Sequence, residues 1–330
     1  MTELPGTSPL PPLVFLQVES SAAPKSTPTS SPGRGSSAID TKLNSDESKT
    51  ASKKPRFTLP KLRLEARDLN HDGAEAFFGA VIASKALATA VNSVLNILYH
   101  TPDSATTTVP STRSVTLILR SMVGVAYTTG SDLDSDHKEI HFSLDYINGI
   151  SADRKKDEIM GVLTHEMVHC YQYDAFGTCP SGLVEGIADW VRLNANLSPP
   201  HWKKEATGNW DAGYQHTGYF LQYLEQRFGK GTVRRINEKL RIERYEQKRF
   251  WTEVCGRPVE QLWGDYGEAV DKELRKAADD ECVLVEKEDA TIPKFLNEPT
   301  PTTKAAEVED DEAMARRMQA EIYASDDVYS

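Results

Sequence analysis

The hydrophobic pattern changes period along the chain. From Leu59, LPKLRLEARDL alternates apolar and polar residues, as a strand buried on one face does. Asp72 stands where a helix cap belongs, and GAEAFFGAVIASKALATAVNSVLNILYH carries Ala, Phe, Val and Leu at helical spacing as far as Pro102, which predicts one long helix. SVTLILRSM, VGVAYTT and then KEIHFSLDYI, with Ile140, Phe142 and Leu144 on one face, return to the strand pattern. Beyond Ser151 the period is helical almost throughout, predicting helices over 157–173, 182–194, 212–228, 232–241, 246–255 and 259–277. Strands first and helices afterwards predict an α+β domain, a small mixed sheet followed by a mostly helical half.

The flanks of the 330-residue chain lack any such period. Residues 1–58 are rich in Ser, Pro, Thr and Gly and read as a disordered arm, because they bury too little apolar surface to offset ordering entropy. The folded domain is expected over 59–278, and the acidic, Pro/Thr-rich stretch 279–330 as a solvated tail. Within that tail DDEAMARRMQAEIYA predicts a short helix near 310–324, with Met314, Met318 and Ile322 on one stripe.

Composition then narrows the functions. The apolar run LVFLQV is short, follows prolines and lacks a basic flank or cleavage site, so no signal peptide is read there. No run is long enough for a membrane span. The expected location is therefore cytoplasmic, with the nucleus as the alternative, and the expected state a monomer. A net charge of -11 and pI near 5.3 argue against nucleic-acid binding. The basic clusters KKPR and RRINEKLRIER read as a linker and a solvated helix face. Four cysteines are too few for a disulfide framework and are expected as thiols.

Candidate chemistry concentrates in THEMVHCYQYDAFGTCPSGLVEGIADWVRL, residues 164–193, where His165, Glu166, His169, Glu185 and Asp189 stand on two apolar helical segments. Such groups are costly there unless they have partners, and the spacing points to a metal. His165 and His169 lie four apart on one helical face, with Glu166 beside them as a base. A catalytic zinc site needs a third protein ligand. The pattern that continues with Gly and a third His is excluded, because Gln172 and Ala175 occupy those places. Glu185 fits instead, if FGTCPSG turns the chain back, and Asp189 one turn later can hold the outer nitrogen of a liganding His. HExxH followed by ExxxD is the thermolysin-like (gluzincin) arrangement, so a zincin-like fold and a Zn²⁺ cofactor are expected. The competing reading is a chance HExxH whose residues are solvated or ion-paired.

The same residues resemble a known family, the basic secretory proteins of plants and bacteria, zincin-type peptidases. HEMVHCYQYDAFGTCPSGLVEGIADWVRL resembles its HExxH segment and EGIAD helix, His201 and Trp202 its following turn, and NWDAGYQHTGYFLQYLEQRFG its WDxGY helix. FWTEVCGRPVEQLWGDY resembles its terminal helices, so the likeness runs from about Leu59 to Ala277. The chain departs from it in being acidic, in carrying Gly218 and Tyr219 where the family tends to Ala and Arg, and in its acidic tail.

The expected function is zinc-dependent hydrolysis of peptide bonds. His165, His169 and Glu185 hold the ion, Glu166 takes a proton from its water, and Asp189 orients a ligand. Tyr214 and His216 are candidates for holding the oxyanion. Asp211 and Trp210 read as the cap and hydrophobic staple of their helix. A peptide or protein substrate is expected to lie extended beside the strand around His141 to Tyr146. The alternative is a catalytically silent protein-binding module. The tail helix resembles short ubiquitin-binding helices through Met314, Ala315, Met318 and Gln319, which implies a ubiquitin-like partner.

Overall fold

Four strands assemble into one sheet in the order β1-β2-β4-β3. A computed structural model describes residues 56–131 and 133–289 of the chain. The strands are β1 (Lys61–Ala66), β2 (Ser114–Arg120), β3 (Ala126–Ser131) and β4 (Asp134–Ser143). β1 and β4 flank β2 in parallel, and β3 runs antiparallel to β4, so the sheet is mixed. Central β2 (SVTLILR) is buried along nearly its whole length, which its β-branched and aliphatic residues suit. Leu117, Leu119, Ile140 and Phe142 face the helices. On the other face Tyr127 stacks on His141 at 4.5 Å.

The order places β4 inside the sheet, between β2 and β3. The expected substrate strand around His141 to Tyr146 is thus not an edge. It also ends at Ser143, whose hydroxyl accepts the Tyr146 N–H and starts the short helix α3 (Leu144–Gly149). Among the described residues the edges are β1 and β3.

The long helix predicted from Asp72 is broken. α1 (Asp72–Ala80) and α2 (Ala83–Val94) meet at 66°, and α2 ends in a π-helical turn, Leu95–Tyr99. Val81 is extended, although its N–H still reaches the Phe77 carbonyl. The β-branched pair Val81–Ile82 is a weak point in the helix, and the two halves pack on different partners, α1 on α3 and α2 on α4. The cap is His71, whose Nδ1 accepts the Gly73 N–H, while Asp72 is the first helical residue.

The helical half follows in order: α4 (Lys155–His169), α5 (Ser181–Asn194), α6 (Tyr214–Phe228), α7 (Thr232–Ile242), α8 (Gln247–Cys255) and α9 (Val259–Asp289). α4 packs on α2 and α5, and α5 on α6. The α5 approach is close because Gly182 and Gly186 lack side chains: a Cβ would overlap the Asp211 carbonyl at the first and the Thr217 side chain at the second. Phe220, Trp210, Trp251, Trp263 and Tyr266 fill the space between α6, α8 and α9.

α6 is not capped as the sequence suggests. Its cap is Gly213, without a side-chain hydrogen bond, and the buried Thr217 hydroxyl accepts the Gly213 N–H (3.0 Å) and donates to the Trp210 carbonyl (2.8 Å). Asp211 is displaced from the capping role because Thr217 reaches back from inside the helix. α9 also outruns its prediction, continuing through 279–289, a stretch assigned to the solvated tail. Its side chains at 271–280 are all exposed, so good helix formers rather than burial carry that part. The expected tail helix at 310–324, with its ubiquitin-like partner, and residues 1–55 of the arm expected over 1–58 lie outside the described residues. No single described helix is long and apolar enough to cross a membrane. Cys170, Cys179 and Cys255 are free thiols.

Candidate metal centre

Helix α4 brings His165 and His169 to one face, with ring centroids 4.9 Å apart. The helix stops at His169, and Ala175, Phe176 and Gly177 in succession take left-handed backbone angles, turning the chain so that α5 returns against α4. The turn delivers two carboxylates. Glu185 Oε2 lies 3.0 Å from His165 Nε2, and Glu185 Oε1 3.8 Å from His169 Nε2. Asp189, one turn further on, meets the other side of the His165 ring, Oδ1 to Nδ1 at 2.6 Å. The two Nε2 atoms are 3.2 Å apart.

One donor atom each from His165, His169 and Glu185 can be chosen so that all three lie within 4.8 Å of one another. A tetrahedral ion with bonds of about 2.0–2.1 Å has donors separated by about 3.3 Å. His165 Nε2 lies 3.2 Å from His169 Nε2 and 3.0 Å from Glu185 Oε2, both close to that value. Two imidazoles and a carboxylate are also the donor types that zinc takes. The residues present therefore fit the ion.

Glu166 is buried beside this cluster without joining it. The Thr128 hydroxyl, on edge strand β3, lies 2.7 Å from Glu166 Oε2 and 3.0 Å from the Glu166 backbone carbonyl. Burial lifts the Glu166 carboxyl above the ordinary carboxylate range, against the pull of His169, His165 and the Thr128 hydroxyl. For His165 burial opposes the charged ring, but Asp189 and Glu185 outweigh it and raise its pKa well above the usual imidazole value. Burial would raise Glu185 as well, yet the facing His169 and His165 bring it below the ordinary range.

Two of the predicted site residues part company. The Tyr214 ring lies parallel to that of His165 at 6.3 Å, and Tyr214 holds a left-handed backbone angle (φ 46°) at the start of α6, an unfavourable conformation for a bulky residue. His216 follows two residues later, about 200° round the helix. Its Nε2 pairs with Glu205 Oε1 at 3.4 Å, and none of its described contacts reaches His165, His169 or Glu185. Sequence reasoning missed Thr128 and Gln172, the latter 2.9 Å from His169 Nδ1. Gln172 stands three residues after His169, a spacing that hints at contact; Thr128 gives no signal, because only sheet pairing brings it to α4.

Fold and site together define an α+β protein with a small mixed sheet, a helical half and a possible metal-binding triad of two histidines and a glutamate. The chain belongs to the BSP family, described as a peptidase of plants and bacteria, whose sequence model matches residues 59–266. This agrees with the resemblance read from the HExxH and EGIAD segments. No curated protein and no solved structure matches the chain.

Proposed function

We propose that the chain is a zinc-dependent peptidase of the zincin, gluzincin-like type. The observation that carries this reading is the convergence of His165, His169 and Glu185 on one point, with buried Glu166 beside them. Bound there, Zn²⁺ would act as a Lewis acid toward water and the scissile carbonyl. The remaining chemistry belongs to the chain. Asp189 holds the Nδ1 proton of His165, which leaves the Nε2 lone pair for the ion. Glu166 takes a proton from the attacking water and returns it to the leaving amine. Thr128 fixes which Glu166 oxygen is committed to a hydrogen bond, leaving Oε1 for the water. The Tyr214 phenol, carried by a ring beside His165, is the better placed of the two oxyanion candidates.

The substrate would lie along β3 rather than β4, since β3 is an edge and carries Thr128. An extended peptide adding to that edge would meet the base through the same strand. Metal analysis of purified protein, with peptide-library cleavage in the presence and absence of a chelator, tests the proposal. Stoichiometric zinc and chelator-sensitive cleavage are expected. Protein that retains no zinc would overturn it, and zinc without cleavage would favour the silent binding module.

A further inference from the structure

The two histidines are supported on their outer nitrogens by different partners, and only one contact has the polarity a metal ligand needs. His165 Nδ1 faces the Asp189 carboxylate, an acceptor that keeps a proton on Nδ1 and so leaves Nε2 as the nitrogen that can bind an ion. His169 Nδ1 faces Gln172 Nε2 at 2.9 Å, an amide donor, while Gln172 Oε1 is buried without a hydrogen-bond partner. A donor at Nδ1 puts the ring proton of neutral His169 on Nε2, the atom 3.2 Å from His165 Nε2. One half-turn of the amide corrects the polarity at Nδ1. Oε1 would then accept the Nδ1 proton, and the orphaned position would pass to the NH₂ group, with almost no change in shape. The backbone is placed to hold it there, since the Gln172 N–H donates to the Val168 carbonyl at 2.8 Å.

We propose that Gln172 is a positioning residue for His169: its side-chain carbonyl fixes the Nδ1–H tautomer and so aims the Nε2 lone pair at the metal ion. The inference rests on the zinc reading of the site. The uncharged partner suits the charge count. Asp189 and Glu185 already balance a divalent ion, and with ionised Glu166 nearby a further carboxylate is not required.

Equilibrium titration with Zn²⁺ alone, competed against a chelator, compares the parent with Gln172→Leu, Gln172→Glu and His169→Ala. Loss of an outer partner typically costs about ten- to a hundredfold in metal affinity, and this is expected for Gln172→Leu. Gln172→Glu keeps the acceptor and is expected to bind at least as tightly as the parent. Parent-like affinity in Gln172→Leu overturns the proposal, as does equal weakening in both Gln172 variants, which would mark a merely structural role. Parent-like affinity in His169→Ala removes the zinc reading itself. Should Gln172→Leu not fold, the ¹⁵N spectrum of the metal-free parent decides: neutral His169 protonated at Nδ1 supports the proposal, and protonation at Nε2 ends it.

Discussion

Glu185 and Asp189 stand one turn apart on α5 and both touch His165, yet their replacement is expected to fail in different ways. Glu185 reaches both imidazole Nε2 atoms, at 3.0 and 3.8 Å, whereas Asp189 contacts the far nitrogen of one ring. Glu185→Ala therefore deletes one of three donors. Asp189→Asn keeps the shape and removes the charge that orients His165. An outer contact of this kind is worth about ten- to a hundredfold in metal affinity, or about 1.4 to 2.8 kcal/mol. Glu185→Ala is expected to exceed the upper end of that range, a loss of more than about a hundredfold. Added zinc should restore part of the function of Asp189→Asn and little of that of Glu185→Ala. The assay is competition titration with Zn²⁺, with circular dichroism to show that both variants are folded. The rival assignment makes Asp189 the ligand and reverses the order. Parent-like affinity in Glu185→Ala, together with loss in Asp189→Asn, would refute the reasoning.

Three further outcomes are expected. Glu166→Gln should retain zinc and lose about a hundredfold or more in turnover of any peptide the parent cleaves; full activity would remove Glu166 as the base. Thr128→Val should lower kcat without changing zinc affinity, because it frees the Glu166 carboxylate, and Thr128→Ser should restore it; a valine variant with parental kcat would dismiss the contact. Arg192→Met should cost about 3 kcal/mol in urea unfolding, since buried Arg192 donates to Glu158 at 2.9 Å and to the Leu197 carbonyl at 3.0 Å and binds α5 to α4; an unchanged midpoint would show that the pair contributes nothing.

The sequence by itself determined most of the parts and the candidate metal-holding residues. Alternation in β1, one apolar face in β4 and β-favouring runs in β2 and β3 marked the strands, and helical period marked the helices other than α3, which lay in a stretch read as strand, because side-chain direction repeats every two residues in one and every 3.6 in the other. The pairing of His165 and His169 was legible because both lie on one helix, where spacing alone fixes the geometry. The turn after His169 was announced by FGTCPSG, and with it the return of Glu185. Tertiary structure decided what depends on partners distant in the chain. The helix from Asp72 breaks at Val81 because its halves pack on different neighbours. β4 lies inside the sheet, and β3 at its edge, because pairing order is set across strands rather than along them. Thr217 supplants Asp211 at the start of α6 by reaching back to Gly213 and Trp210. His216 and Tyr214 are two residues apart in sequence, but helical rotation points one ring to Glu205 and the other to His165. Thr128 reaches Glu166 across 38 residues, a contact made by the docking of a sheet edge on α4 and therefore invisible to any local pattern.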